Sequence, residues 1–189
     1  MIRRAALLLL GLAALAAHAA PLPAPDSLPP VRLPAFKAEH PRLPYPTPAE
    51  LQRLRTENPK YLESMQRRVA GPRARVDEAI LLETLRPGSV DLADLHARLM
   101  ALRIVARGDV EVRPLALGYD WLYARWTPAQ RASLLKKLLD GCEYEIGFIR
   151  RKELSPYNVY LYNAPYQALT ACAIATYGDH PRAEPVMRF

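Results

Sequence analysis

The amino-acid sequence predicts an all-α fold built from helix pairs, and three observations predict it. Apolar residues recur at three- and four-residue spacing through most of the chain after residue 47. Helix-starting capping boxes and helix-ending proline or glycine turns punctuate that pattern. Finally, Leu154–Gly178 holds no charged residue in a chain that is 24% charged. Its second half, Ala164–Tyr177, is small and apolar nearly all round, as in a buried inner helix. Amphipathic helices alternating with one such helix suit a layered inner-and-outer arrangement, as in bundles, helical solenoids or toroids.

In order, Met1–Arg4 is a basic start, Ala5–Ala17 an apolar run, and Ala17-His18-Ala19 a small-residue cleavage site. Residues 1–19 therefore read as a secretory signal peptide cut after Ala19, which places the mature chain in the periplasm or outside the cell. Residues 20–46 read as a proline-rich extended arm, because ten of the nineteen prolines fall between Pro21 and Pro48. A helical domain occupies 47–189. Thr47-Pro48-Ala49-Glu50 is a capping box with proline at the first helical position, and Pro59 ends the first helical piece. Leu62 and Met65 continue at helical spacing. An amphipathic helix is expected over Arg73–Arg86, stopped by Pro87-Gly88. Another is expected over Asp91–Arg107, with Leu92, Leu95, Leu99 and Leu102 on one stripe and Gly108-Asp109 as its end. Val110–Arg113 shows a brief strand-like alternation. Leu115–Ala124 then reads as a helix, and Thr127-Pro128-Ala129-Gln130 is a second capping box. A further helix is expected over Cys142–Lys152. The charge-free stretch follows, as a polar, aromatic-rich loop through Asn163 and then the apolar helix stopped by Gly178. Pro181–Glu184 starts one more element, and the pattern reads as the N-terminal portion of something longer.

Loss of Arg3 and Arg4 with the signal takes 26 basic residues to 24 against 19 acidic ones, a mature net charge of about +5. This suits an anionic partner. No run of five or six basic residues and no nucleic-acid motif appears, so a nucleic-acid partner is not expected. Asn158, Asn163, Pro165, Gln167 and Thr170 interrupt the charge-free stretch, which leaves too little apolar length for the roughly 20 residues of a membrane span. Cys142 and Cys172 are the only cysteines. An oxidising compartment permits a disulfide between them, and Cys172 equally suits a small buried hydrophobe. No HExxH, GxSxG, phosphate-binding loop, dinucleotide fingerprint or Cys/His cluster occurs, and no metal or cofactor is implied.

Three segments carry a resemblance. His40-Pro41-Arg42-Leu43 with Thr47–Leu51, Leu115–Tyr123 with Thr127–Arg131, and Tyr157–Ala175 closing in Gly178-Asp179-His180-Pro181 together resemble the N-terminal region of heparinase II/III-like and alginate-lyase-like polysaccharide lyases. The resemblance implies helical hairpins forming part of an incomplete (α/α) toroid. It also implies β-elimination on a uronic-acid glycan. That chemistry requires donors that neutralise the carboxylate beside the acidic C5 proton, a base that takes the proton, and an acid that protonates the leaving oxygen. Asn158 matches the family's asparagine and is the catalytic candidate, as carboxylate neutraliser. Val159 stands where a histidine follows in many members.

Tyr157, Tyr160, Tyr162, Asn163, Tyr166 and Gln167 are candidates for binding substrate from the charge-free stretch. Tyr119 and Trp121 are candidates from the other aromatic cluster, where helix packing is the competing role. Asp120 reads as a structural salt bridge or cap, and His180 as surface structure. The rival to the lyase is a non-catalytic helical module that binds glycan or a protein partner. A toroidal glycoside hydrolase ranks last, because the charge-free stretch supplies no carboxylate pair.

Overall fold

A computed structural model of the chain describes residues 37–71, 74–104, 111–151 and 159–189, with only the backbone for 159–165. It is all-α, and among the described residues there is no strand. The helices are α1 (Pro48–Glu57), α2 (Pro59–Val69), α3 (Val76–Leu85), α4 (Leu92–Ala101), α5 (Val112–Trp121), α6 (Pro128–Arg151), α7 (Val159–Thr176) and α8 (Ala183–Arg188). A short 3-10 turn, Tyr123–Arg125, links α5 to α6.

The locally encoded ends form as expected. Thr47 and Glu50 close a reciprocal capping box on α1. Thr127 and Gln130 do the same on α6, through Thr127 N–H to Gln130 Oε1 at 3.0 Å and Gln130 N–H to Thr127 Oγ1 at 3.3 Å. Asp91 caps α4 by accepting from Ala93 and Asp94. Gly88 and Gly178 adopt φ of 87° and 85° after α3 and α7, a conformation that favours glycine.

Several boundaries move. The helix expected over Arg73–Arg86 begins at Val76, and Arg73 lies outside the described residues. α4 ends at Ala101, with Leu102 as its cap; the expected end at Gly108-Asp109 lies outside the described residues. Val112 and Arg113, expected in a strand-like alternation, open α5 instead. Pro114 sits in the first turn of that helix, where its missing N–H costs nothing.

The two helices expected over 127–152 are one continuous α6, passing through Gly141. The reason is packing: a Cβ on Gly141 would lie 2.8 Å from Ile104 Cδ1 and 3.1 Å from Val112 Cγ2. The glycine admits a neighbour and does not end the helix. Gly141→Leu is therefore expected to cost about 2–3 kcal/mol through overpacking. Gly141→Ala should fall near neutral, since its gain in helix propensity of about 1 kcal/mol offsets a small shift of Ile104. Urea unfolding of the two variants checks the ordering, and equal costs would contradict the close approach.

The described residues belong to one unit, Pro34–Phe189, so the last part of the arm is included in it. α5 is its most enclosed helix, with Val112, Pro114, Leu115, Ala116, Gly118, Tyr119 and Asp120 all buried. It packs against α3 and α4 on one side and α6 and α7 on the other. Gly118 permits that approach, since a Cβ there would meet Leu99 Cδ1 at 2.9 Å.

α7, expected to be buried on every face, is not. Ala168, Leu169, Cys172, Ala173, Ala175 and Thr176 face inward, while Tyr166, Gln167 and Thr170 are exposed. It also begins at Val159, so Tyr160, Tyr162 and Asn163 lie on the helix and not in a leading loop. Cys142 of α6 and Cys172 of α7, both fully buried, are joined by a disulfide. A smaller core of Leu51, Leu62 and Leu85 lies under α1 and α2. No helix among the described residues is long and apolar enough to cross a membrane.

Candidate functional site

The C-terminal end of α5, the segment Lys37–Leu43 and the turn after α7 meet in one polar cluster. α5 delivers Tyr119 and Asp120 as consecutive buried residues, at 1% and 0% exposure. The helix stops at Leu122, where the 3-10 turn begins. Trp126 folds back so that its indole N–H donates to Gly118 O at 2.8 Å. Glu83, buried on α3, holds the neighbouring turns by accepting from the Gly88 and Val90 amides and from Arg125. The rotation at Gly178 brings Asp179 round to face α5.

Segment 37–43 is shaped largely by Arg42. Its guanidinium donates to Lys37 O, Ala38 O and Ala175 O, and to Asp179 Oδ1 at 2.7 Å. Asp120 receives this segment, accepting from the backbone N–H of Arg42 at 2.9 Å and of Leu43 at 2.8 Å. His40 bridges the two carboxylates, with Nδ1 2.6 Å from Asp120 Oδ1 and Nε2 3.0 Å from Asp179 Oδ2. Tyr119 donates its hydroxyl to the same Asp179 oxygen at 2.7 Å. The His40–Pro41 peptide bond is cis. Tyr123 stacks on His40 at 3.8 Å, and the Arg131 guanidinium lies 4.8 Å from the Tyr123 ring centroid.

His40 and Arg42 thus lie against the two carboxylates, Asp120 and Asp179. Burial works to lower the His40 pKa, but the hydrogen bonds with Asp120 and Asp179 outweigh it and leave it raised. Burial likewise pushes Asp179 up, and the hydrogen bonds from His40, Arg42 and Tyr119 more than offset this, leaving it lowered. Tyr119 is pushed far above the usual phenol range, by burial first and then by its bond to Asp179. Tyr119 is thereby no base near neutrality, because the phenol keeps its proton.

The cluster borders an open cleft of about 310 Å³, walled by Glu39, Arg42, Trp121, Tyr123 and Asp179. Trp121 is half-buried and lies edge-on to Tyr45 at a centroid distance of 5.4 Å.

The residues expected to bind substrate fall in separate places. Tyr119 is a core residue of the polar cluster, and Trp121 is at the mouth of its cleft. Tyr166, 41% exposed, and Gln167 share the outer face of α7. Tyr160, Tyr162 and Asn163 are placed on the backbone of α7, and their side chains lie outside the description. Tyr157 and the catalytic candidate Asn158 lie outside the described residues altogether. Asp120 takes the structural role expected of it, and His180 is exposed in a turn, accepting from the Arg182 amide. His40 and Asp179 were not singled out from the sequence. Their signal was present in the tetrads His40–Leu43 and Gly178–Pro181, but the partners are 80 and 139 residues from His40.

The fold and cluster thus define an all-α domain whose segments are tied by a buried ionic clamp. Searches against protein-family models, curated proteins and solved structures return no match.

Proposed function

We propose that this chain is the N-terminal helical part of a secreted or periplasmic polysaccharide lyase acting on an anionic uronic-acid glycan by β-elimination. In this reading its helix pairs form part of an incomplete (α/α) toroid, delivered by cleavage after Ala19. The observation that carries the reading is the construction of α7. Its second half is anchored in the core and through Cys172, while Tyr166 and Gln167 at the end of its first half face solvent. A helix so held gives the residues on its outer face a rigid base, as positioning a sugar polymer requires. The mature charge of about +5 adds attraction for a polyanion.

Asn158→Ala in the complete protein should reduce turnover by roughly 100- to 1,000-fold, the usual loss for one charge-stabilising donor. Helicity by circular dichroism should stay unchanged. Formation of the unsaturated uronate, followed by its absorbance, is the readout, and undiminished turnover would remove Asn158 from the mechanism.

The second reading, a non-catalytic glycan- or protein-binding module, is favoured by Val159 standing at the family's histidine position. The full engagement of His40 in the clamp adds to it. Saturable binding of a uronic-acid glycan without unsaturated product would decide for that module.

A further inference from the structure

The clamp groups beside the cleft are engaged with one another. Asp120, Asp179, Arg42 and His40 are mutually satisfied, and Tyr123 has His40 on its ring and Arg131 beside it. What the geometry provides is a proton-dependent connection. An imidazole donates through both nitrogens only when it carries two ring protons. Both His40 nitrogens face carboxylates, at 2.6 and 3.0 Å, and both carboxylates already accept from other donors. Removing one proton leaves one nitrogen lone pair pointed at a carboxylate oxygen, inside a site where His40 is only 6% exposed.

We propose that His40 is a proton-operated latch that tightens segment 37–43 onto α5 and the turn after α7, and that its deprotonation loosens that closure. Because the same segment forms one wall of the cleft, the latch sets the shape of the cleft. The charged and titratable groups around the ring are Asp120 and Tyr119 from α5, Tyr123 from the 3-10 turn, Arg131 from α6 beyond Tyr123, and Asp179 after α7. Arg42 belongs to the segment itself, as do the exposed Lys37 and Glu39. Arg42 opposes protonation of His40, whereas Asp179 favours it.

The sign follows from linkage. The folded-state pKa of His40 is raised, so the stabilisation is complete below the open-state imidazole value of about 6.5. It declines as pH climbs from there to the folded-state value and is gone above it. Asp179 sets the acid limit. Its folded pKa is lowered, so its contribution is present above the ordinary carboxylate range and is lost as pH falls through the folded value.

The test uses the full chain labelled with nitrogen-15 in histidine and backbone. At pH 6 to 7 the His40 ring should show two N–H signals and titrate above its ordinary value, and Asp179→Asn should lower that midpoint. The amides of Arg42 and Leu43, which donate to Asp120, should lose protection from exchange by up to about tenfold per pH unit above about 6.5, then level off. Amides within α3 and α4 should keep their protection over the same range. A His40 ring with a single proton near neutrality overturns the latch. So does protection of Arg42 and Leu43 that follows the α3 and α4 amides at every pH.

Discussion

Replacing Asp120 with alanine is expected to destabilise the folded chain by about 3–5 kcal/mol, the range for removing one partner of a buried ion pair. The carboxylate is fully buried and accepts from the backbone amides of Arg42 and Leu43 as well as from His40. Its loss strands two backbone donors and leaves His40 with one carboxylate partner, Asp179. Each stranded donor carries a desolvation cost of about 1–3 kcal/mol, which no rearrangement within α5 can supply. Asp120→Asn can keep both amide bonds with its oxygen in the place of Oδ2. It removes the charge, however, and turns its N–H₂ toward His40 Nδ1, so it should lose a smaller part of the same stability. Urea unfolding measures both variants, and a cost below about 1 kcal/mol for alanine would show that segment 37–43 contributes little to the fold. A cycle with His40→Ala separates the pair from the backbone bonds. If Asp120 mainly serves the amides, the second substitution should still cost nearly its full amount in the Asp120→Ala background.

That expectation depends on contacts that local sequence does not reveal. Thr47 with Glu50, and Thr127 with Gln130, were legible because a capping box is closed by residues three positions apart. Gly178 was legible because a helix end needs its backbone conformation. The separate helix expected from Cys142 is part of α6, and nothing in the local sequence shows that Gly141 admits Ile104 within a continuous helix. The proline-rich composition of 20–46 hid the fact that His40–Leu43 is tied into the helical unit, since proline count reports chain stiffness and says nothing of where its neighbours bond. Leu43 is itself buried against the main core. The candidate site divides in the same way. Asp120 announced a structural role by lying between Tyr119 and Trp121 on a buried helix. His40 and Asp179 became partners only when two turns brought them together. The outward face of α7 was concealed by its lack of charge, because Tyr166, Gln167 and Thr170 meet water without any ionic marker.

The disulfide is the second feature with a large expected effect. Cys142 and Cys172 close a loop with a sequence separation of 30. Loop-closure entropy for a ring of that size corresponds to about 3–4 kcal/mol, so Cys142→Ala with Cys172→Ala should lose an amount of that order. Alanine is the better probe, because a serine hydroxyl at two fully buried positions would add a desolvation cost of its own. Burial also predicts how the bond responds to reductant. A thiolate cannot reach either sulfur until α6 and α7 separate, so reduction under native conditions should be slow. It should accelerate with urea in step with unfolding. Alkylation followed by intact mass, sampled over time at several urea concentrations, reads this directly. Rapid reduction without denaturant would mean that α6 and α7 part while the rest stays folded, and α7 would then be a mobile element. Slow reduction would mean that the helix carrying Tyr166 and Gln167 is held from its buried side. Residues on its outer face would then keep a fixed spacing.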